Sequence, residues 1–224
     1  MLIRHDLSKR FVVCPADYQW IDSPVAGVRR MPLDRVGAEQ GRATSIVEYD
    51  AHTVFTAHEH SGGEEFFVLS GTLIDDAGHY CAGTYVRNPV GSRHTPRAGP
   101  DGARLFVKLG QSHPDDQDRK VINTTRLNWS QGLVPGLQVL PLHEHLSEHC
   151  ALVRWAPHTE FSRHQHWGGE EILVLQGTFI DEHGSYPAGS WLRSPHRSIH
   201  TPYTREDGAL IWVKTGHLSV GESH

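Results

Sequence analysis

Cysteine is scarce. The 224 residues hold three, Cys14, Cys81 and Cys150, far apart and with no C-x-x-C pair. An odd count without paired spacing excludes a disulfide framework and makes a reducing, cytoplasmic setting the expected one. A basic excess is also missing: lysine and arginine number 21 against 26 acidic residues, a formal net charge of -5. Phosphate neutralisation needs a basic surface, so nucleic acid is excluded as a main partner. No apolar run approaches the ~18 residues of a membrane-spanning helix, so no membrane is expected. The opening MLIRHDLSKR lacks the apolar stretch of a secretory signal. No long stretch carries helical apolar periodicity.

What is abundant is histidine, 18 residues, the side chain that titrates near neutrality and most often ligates metals. Hydrophobic residues make up 38%, enough for a core in one large domain or two small ones.

The chain repeats itself. Displaced by 106 residues, from 58 to 164, His58–Gly110 matches His164–Gly216 without a gap and with just over half the positions identical. Shared pieces include H-x-H-x-GGEE, VL-x-GT, ID, HTP, DGA and VK-x-G. Upstream the match weakens, with Trp20 against Trp129 and Pro32-Leu33 against Pro141-Leu142 three residues out of step. Two copies of this length are a duplicated domain, not a solenoid. The polar stretch 111–118 reads as the linker, giving domains 1–113 and 114–224.

Glu64–Ser70, Arg104–Leu109, Glu171–Gln176 and Leu210–Thr215 are short and rich in β-branched and aromatic residues. Gly, Pro, Asp and Asn separate them, which predicts an all-β sandwich or barrel in each half. Asp75–Gly78 and Asp181–Gly184 read as turns.

One constellation occurs twice. His58 and His60 are two apart, so on a strand both imidazoles face one side. Glu64 follows across Gly62-Gly63, where a tight bend is permitted. His94 comes 30 residues after Glu64, and His164, His166, Glu170 and His200 stand at the same intervals. Three imidazoles and a carboxylate suit a divalent first-row metal. A lone H-x-H is more often coincidence; the full pattern repeated is not.

These segments resemble the two cupin motifs, G-x5-H-x-H-x3-E-x6-G and G-x5-P-x-G-x2-H-x3-N. The first copy reads His58-x-His60-x3-Glu64-x6-Gly71 and Gly83-x5-Pro89-x-Gly91-x2-His94; the second reads His164-x-His166-x3-Glu170-x6-Gly177, then Gly189-x5-Pro195 and His200. The texture around them is similar to the cupin domain of the ChrR type of anti-sigma factor. The resemblance covers both halves and implies a bicupin: two tandem double-stranded β-helix (jelly-roll) barrels. It also implies that the three histidines and the glutamate of each copy hold a metal, zinc in the ChrR type, with iron, manganese or nickel as alternatives. The first motif's opening glycine is replaced by His52 and His158, the last asparagine of motif two by Ala98 and Thr204, and in copy two Arg197 stands where the first copy has Gly91. Arg197 puts the second site in more doubt than the first.

Glu65 and Glu171 rival the ligand carboxylates. Strand alternation turns them to the other face, where they are expected in water or behind the ligands. The run 143–149, His-Glu-His-Leu-Ser-Glu-His, lacks the glycine bend and reads as a solvated loop. Arg87 and Arg193 recur and are expected to stabilise the fold, Tyr80 and Tyr186 to pack. Cys81 aligns with Pro187, which excludes a shared thiol ligand.

Two functions follow from the resemblance. One is a ligand- or oxidant-sensing regulatory protein, with a small molecule as partner. The zinc domain by which such anti-sigma factors grip a sigma factor uses paired cysteines that this sequence lacks, so a sigma factor is not expected as direct partner. The other is a cupin dioxygenase acting on a small carbonyl or enol substrate. A homodimer is compatible with either.

Overall fold

The computed structural model describes residues 1–37 and 41–218. They are nearly all strand and turn, with two short 3-10 segments, Pro15–Asp17 and Thr124–Arg126. The chain forms two compact units.

In the first unit one large antiparallel sheet runs Leu2–Ile3, Val28–Val36, Arg42–Tyr49, Arg97–Leu109, Glu64–Asp75, Thr84–Asn88, Lys120–Asn123. A second, two-stranded sheet pairs His58–His60 with Ser92–His94. The second unit repeats this with Ser130–Gln131, Leu137–His145, Glu148–Trp155, Ala209–Thr215, Glu170–Asp181, Trp191–Ser194 and Phe11–Val13. Its small sheet pairs His164–His166 with Ser198–His200. These are the two jelly rolls that the resemblance implied. Period-two alternation points Phe66, Val68, Leu105 and Val107 into the first core and Ile172, Val174 and Ile211 into the second. Each long strand carries a register shift, beside Val68 and beside Val174, followed by Gly71 or Gly177 at φ 70° or 68°. A Cβ there would sit 2.2 Å from the carbonyl oxygen of Gly102 or Gly208, which explains the glycine of the VL-x-G motif.

The compact units exchange short segments across the 113/114 linker. Asp6–Tyr18 belongs to the second, and the stretch up to Leu127 belongs to the first. Each relocated segment supplies an edge strand: Lys120–Asn123 pairs with Thr84–Asn88, and Phe11–Val13 pairs with Trp191–Ser194. Covering an edge satisfies backbone groups that would otherwise be open to another chain. The recurring arginines hold these segments. Arg87 pairs with buried Asp116 at 2.5 Å, and Arg193 donates to the Asp6 carbonyl at 3.1 Å. Self-similarity reveals the order of the repeats but not which core each strand joins.

The run 143–149 is not a solvated loop. It spans the hairpin between Leu137–His145 and Glu148–Trp155, with His143 opposite Cys150 and only 5% exposed. The extended strands bury one face of the run and leave Glu144 and His149 in water.

Candidate metal centres

In the small sheet of the first unit His58 lies directly opposite His94; in the second, His164 lies opposite His200. His60 and His166, two residues along, face the same side. The glycine pair then turns the chain, with the Gly63 N–H donating to the His60 carbonyl at 3.0 Å and Gly169 to His166 at 3.2 Å. Glu64 and Glu170 open the long strands immediately after.

The result is two matching clusters. One nitrogen from each of His58, His60 and His94 lies within 4.8 Å of the others, and the same holds for His164, His166 and His200. The Nε2 atoms of His60 and His94 are 3.0 Å apart, as are those of His166 and His200. The Glu64 carboxylate is 3.4 Å from His60 Nε2 and 3.6 Å from His94 Nε2; Glu170 is at 3.4 and 3.6 Å from its pair. All eight sequence-designated residues are thus brought together as two sets of four.

The outward nitrogens set the tautomers. His58 Nδ1 donates to the Thr56 carbonyl at 2.8 Å and His164 Nδ1 to Ser162 at 2.9 Å. His94 Nδ1 donates to Asp75 at 3.2 Å, and His200 Nδ1 faces Asp181 at 3.6 Å. A proton on Nδ1 leaves the Nε2 lone pair pointing inward, the state a metal requires. Lone pairs crowded at 3.0 Å repel unless a cation or proton lies between them. Ligands ~2.1 Å from one ion and roughly 90–110° apart have about these separations. The donor set therefore fits a divalent metal.

Burial keeps several rings neutral. It lowers the pKa of His60, and Glu64 only partly opposes it. His166 is driven down to about 3 by burial, with the charges of His200 and His164 adding to it. For His94 and His200 burial also lowers the pKa, but the Asp75 and Asp181 carboxylates that face their Nδ1–H groups, with Glu64 and Glu170 nearby, outweigh it, and both end raised. Glu170 is pushed up to about 7 by burial.

Residues the motif did not include complete the site. Asp75 and Asp181 read as turn formers, and so they are: Oδ1 of Asp75 accepts from the Ala77 and Gly78 N–H groups. The other oxygen faces the histidine. Tyr80 and Tyr186 do more than pack, each donating to its aspartate at 2.8 Å. Arg119 in turn donates to Tyr80 and Arg10 to Tyr186, so these segments reach His94 and His200 through two side chains. Asn88 donates to Glu64 at 2.9 Å. The signal was present in the repeated ID and G-x-Y pieces, which the turn reading had already absorbed.

Glu65 and Glu171 point away from the clusters, as alternation requires, but neither is solvated. They are 5% and 0% exposed. Glu65 accepts from Tyr85 at 2.9 Å, and Glu171 accepts from Trp191 at 2.8 Å and lies 3.0 Å from His217. Arg197 reproduces the glycine turn: its φ is 63° against 80° for Gly91, and its N–H donates to His166 at 2.9 Å as that of Gly91 does to His60.

The sequence matches the ChrR Cupin-like domain model twice, over residues 8–113 and 117–219. No curated protein matches it. Several solved structures share the fold. A candidate dioxygenase from Nostoc punctiforme superposes with a TM-score of 0.78 at 15% identity, over 96% of this chain and 85% of that one. The formate complex of Lactobacillus farciminis oxalate decarboxylase gives 0.66 at 12%, over 93% and 86%. The Escherichia coli pirin YhhW bound to nickel(II) gives 0.64 at 14%, over 92% and 98%. At such identities the likeness is one of fold.

Proposed function

The chain belongs to the ChrR cupin-like family, and on that premise we propose that it is a metal-binding bicupin whose two centres serve to sense a small ligand or an oxidant. Each unit holds one divalent ion, through His58, His60, His94 and Glu64 in the first and His164, His166, His200 and Glu170 in the second. The observation that carries this is the convergence of three imidazole nitrogens within 4.8 Å, twice, at the same register. Zinc is the ion that the family resemblance implies, and imidazole and carboxylate donors suit it; iron, manganese and nickel accept the same donors. When bound, the ion supplies Lewis acidity and an attachment point for an oxygen ligand. The chain's own residues do the rest. Thr56 and Asp75 fix the rings, Asn88 steadies Glu64, and His60 and His166, lowered by burial, carry no proton to compete.

Protein purified without chelators or affinity-column nickel should contain two metal ions per chain. His60→Ala and His166→Ala should each reduce this to one. Metal-free wild-type protein from that preparation would overturn the reading. A stoichiometric sigma factor recovered in a pull-down would overturn the view that any regulatory output here needs no direct sigma binding.

A second reading is a metal-dependent oxidoreductase of the dioxygenase type. A cavity of about 420 Å³ beside the first cluster favours it, being the size of a metabolite site. In this role Glu64 would act as the base toward a bound carbonyl or enol. Oxygen uptake by the iron-loaded protein with diketones, flavonols or thiols would support it; none across that panel would reject it.

A further inference from the structure

The contacts behind the two centres are alike in kind and differ in the last link. Strand register makes Arg10 and Arg119 equivalent. Phe11 lies opposite Arg193 and Lys120 opposite Arg87, and Arg193 and Arg87 are the recurring arginines of the two copies. The residue just ahead of the closing edge strand is therefore Arg10 in the second unit and Arg119 in the first.

Arg119 donates to the Tyr80 hydroxyl at 2.9 Å. Tyr80 donates to Asp75 Oδ1 at 2.8 Å, and Asp75 Oδ2 accepts from His94 Nδ1 at 3.2 Å. Arg10 likewise donates to the Tyr186 hydroxyl, at 2.6 Å, but the same Nη2 also donates to Asp181 Oδ2 at 3.1 Å. That is the oxygen that faces His200 Nδ1, which stands 3.6 Å away, beyond hydrogen-bond length. A guanidinium and an imidazole thus share one carboxylate oxygen in the second unit, and the guanidinium is the nearer. The side chains of Arg10 and Asp181 are 26% and 2% exposed, so salt screens their attraction little. The flanking acids match between the copies, since Asp76 bears on His94 as Glu182 does on His200. The Arg10 charge also reaches Glu170.

A carboxylate behind a ligating imidazole makes that ring a stronger donor. A guanidinium on the same oxygen takes part of that negative charge and places a positive charge behind a cation site. Both effects oppose the ion. We propose that Arg10 is a positioning residue that weakens the second centre's hold on its metal by drawing Asp181 off His200, so that the first centre keeps its ion while the second gains and loses it more readily. In a sensing protein the second is then the exchangeable centre. This rests on the metal-binding reading above.

The test measures zinc affinity by competition with a chromophoric chelator. It uses full-length protein, with His166→Ala reporting the first centre and His60→Ala the second. The first centre should hold zinc ~10-fold more tightly, within the range of a supporting contact. On the His60→Ala background, Arg10→Gln should tighten zinc binding by ~3–10-fold. Arg10→Lys keeps a cation on Asp181 and should leave the affinity at its parent value. A gain on removing a contact separates this role from a merely structural one, because losing an anchor of Asp6–Tyr18 would loosen the site. Three results would each overturn the proposal and leave the metal reading intact: a second centre as tight as the first, an Arg10→Gln affinity equal to or below its parent, or an Arg10→Lys protein as tight as Arg10→Gln. The first comparison needs no Arg10 variant, so it decides even where Arg10→Gln does not fold. Zinc bound by neither single-centre protein would remove the reading beneath.

Discussion

Asp75 sits 3.2 Å behind His94, its Oδ2 on the imidazole Nδ1, while its Oδ1 ties down the turn at Ala77 and Gly78. One carboxylate thus fixes both a loop and the direction of a ligand. Asp75→Asn keeps an oxygen for the turn and loses the charge that holds the imidazole proton. Metal affinity at the first centre should fall by ~10–100-fold, read by competition with a chromophoric chelator in a His166→Ala background. An affinity equal to that of the background protein would show that packing alone orients His94.

The second centre should take up metal with proton release. At pH 6, Glu170, with its pKa at about 7, and His200, whose pKa is raised, both carry protons that must leave. His166, at about 3, carries none. Affinity should climb with pH through about 7, with roughly one to two protons released per ion at pH 6. Titrations in buffers of different ionisation enthalpy, on a His60→Ala background, measure that number. The same groups act oppositely on the metal-free fold. His166 favours the fold above its unfolded value of 6.5, and that contribution is lost as pH falls toward 3. Glu170 favours it below 4.5, and that contribution is lost as pH rises through about 7.

Gly71→Ala should be costly. The new Cβ would meet the Gly102 carbonyl oxygen at 2.2 Å, and the φ of 70° is strained for any other residue. A loss of about 2–4 kcal/mol is expected from strain and overpacking together, measured by denaturant unfolding. A loss below ~1 kcal/mol would mean that the strand accommodates the methyl group by shifting.

His52 and His158 stand where the motif has glycine and have φ of 61° and 56°. His52→Gly should therefore stabilise the protein, by about 0.5–1 kcal/mol after the entropy of glycine is subtracted. A lower melting temperature would show that the His52 ring contributes more than its backbone costs.

Where the first unit ends can be tested by truncation. Residues 1–127 retain Lys120–Asn123 and Asp116; residues 1–113 lose both and leave Arg87 buried without its ion pair. Breaking a buried pair costs about 3–5 kcal/mol, so the shorter fragment should melt more than ~10 °C below the longer. Equal midpoints would place the true boundary at 113.

The candidate site and the barrels were legible because period-two spacing and repetition of the same intervals survive in one dimension. His58 and His60 share a face on any strand, and His94 completes the set wherever the motif folds as a hairpin. Asp75 was legible as a turn residue, but its second oxygen reaches a histidine nineteen positions away, and only the fold sets that distance. Glu65 misled because a carboxylate on the far face is expected in water, whereas Tyr85 covers it here.

The lending of Phe11–Val13 forward and Lys120–Asn123 backward has a bearing on synthesis. The ribosome delivers the second unit's closing strand ahead of most of the first unit, and that strand must wait, unsatisfied, until Trp191–Ser194 emerges. The first unit, by contrast, closes soon after residue 127 leaves the exit tunnel. An ancestor with a single copy of this sequence would have had no later repeat to borrow from; two molecules would have had to trade arms, and gene fusion would then have turned a concentration-dependent partnership into an internal one.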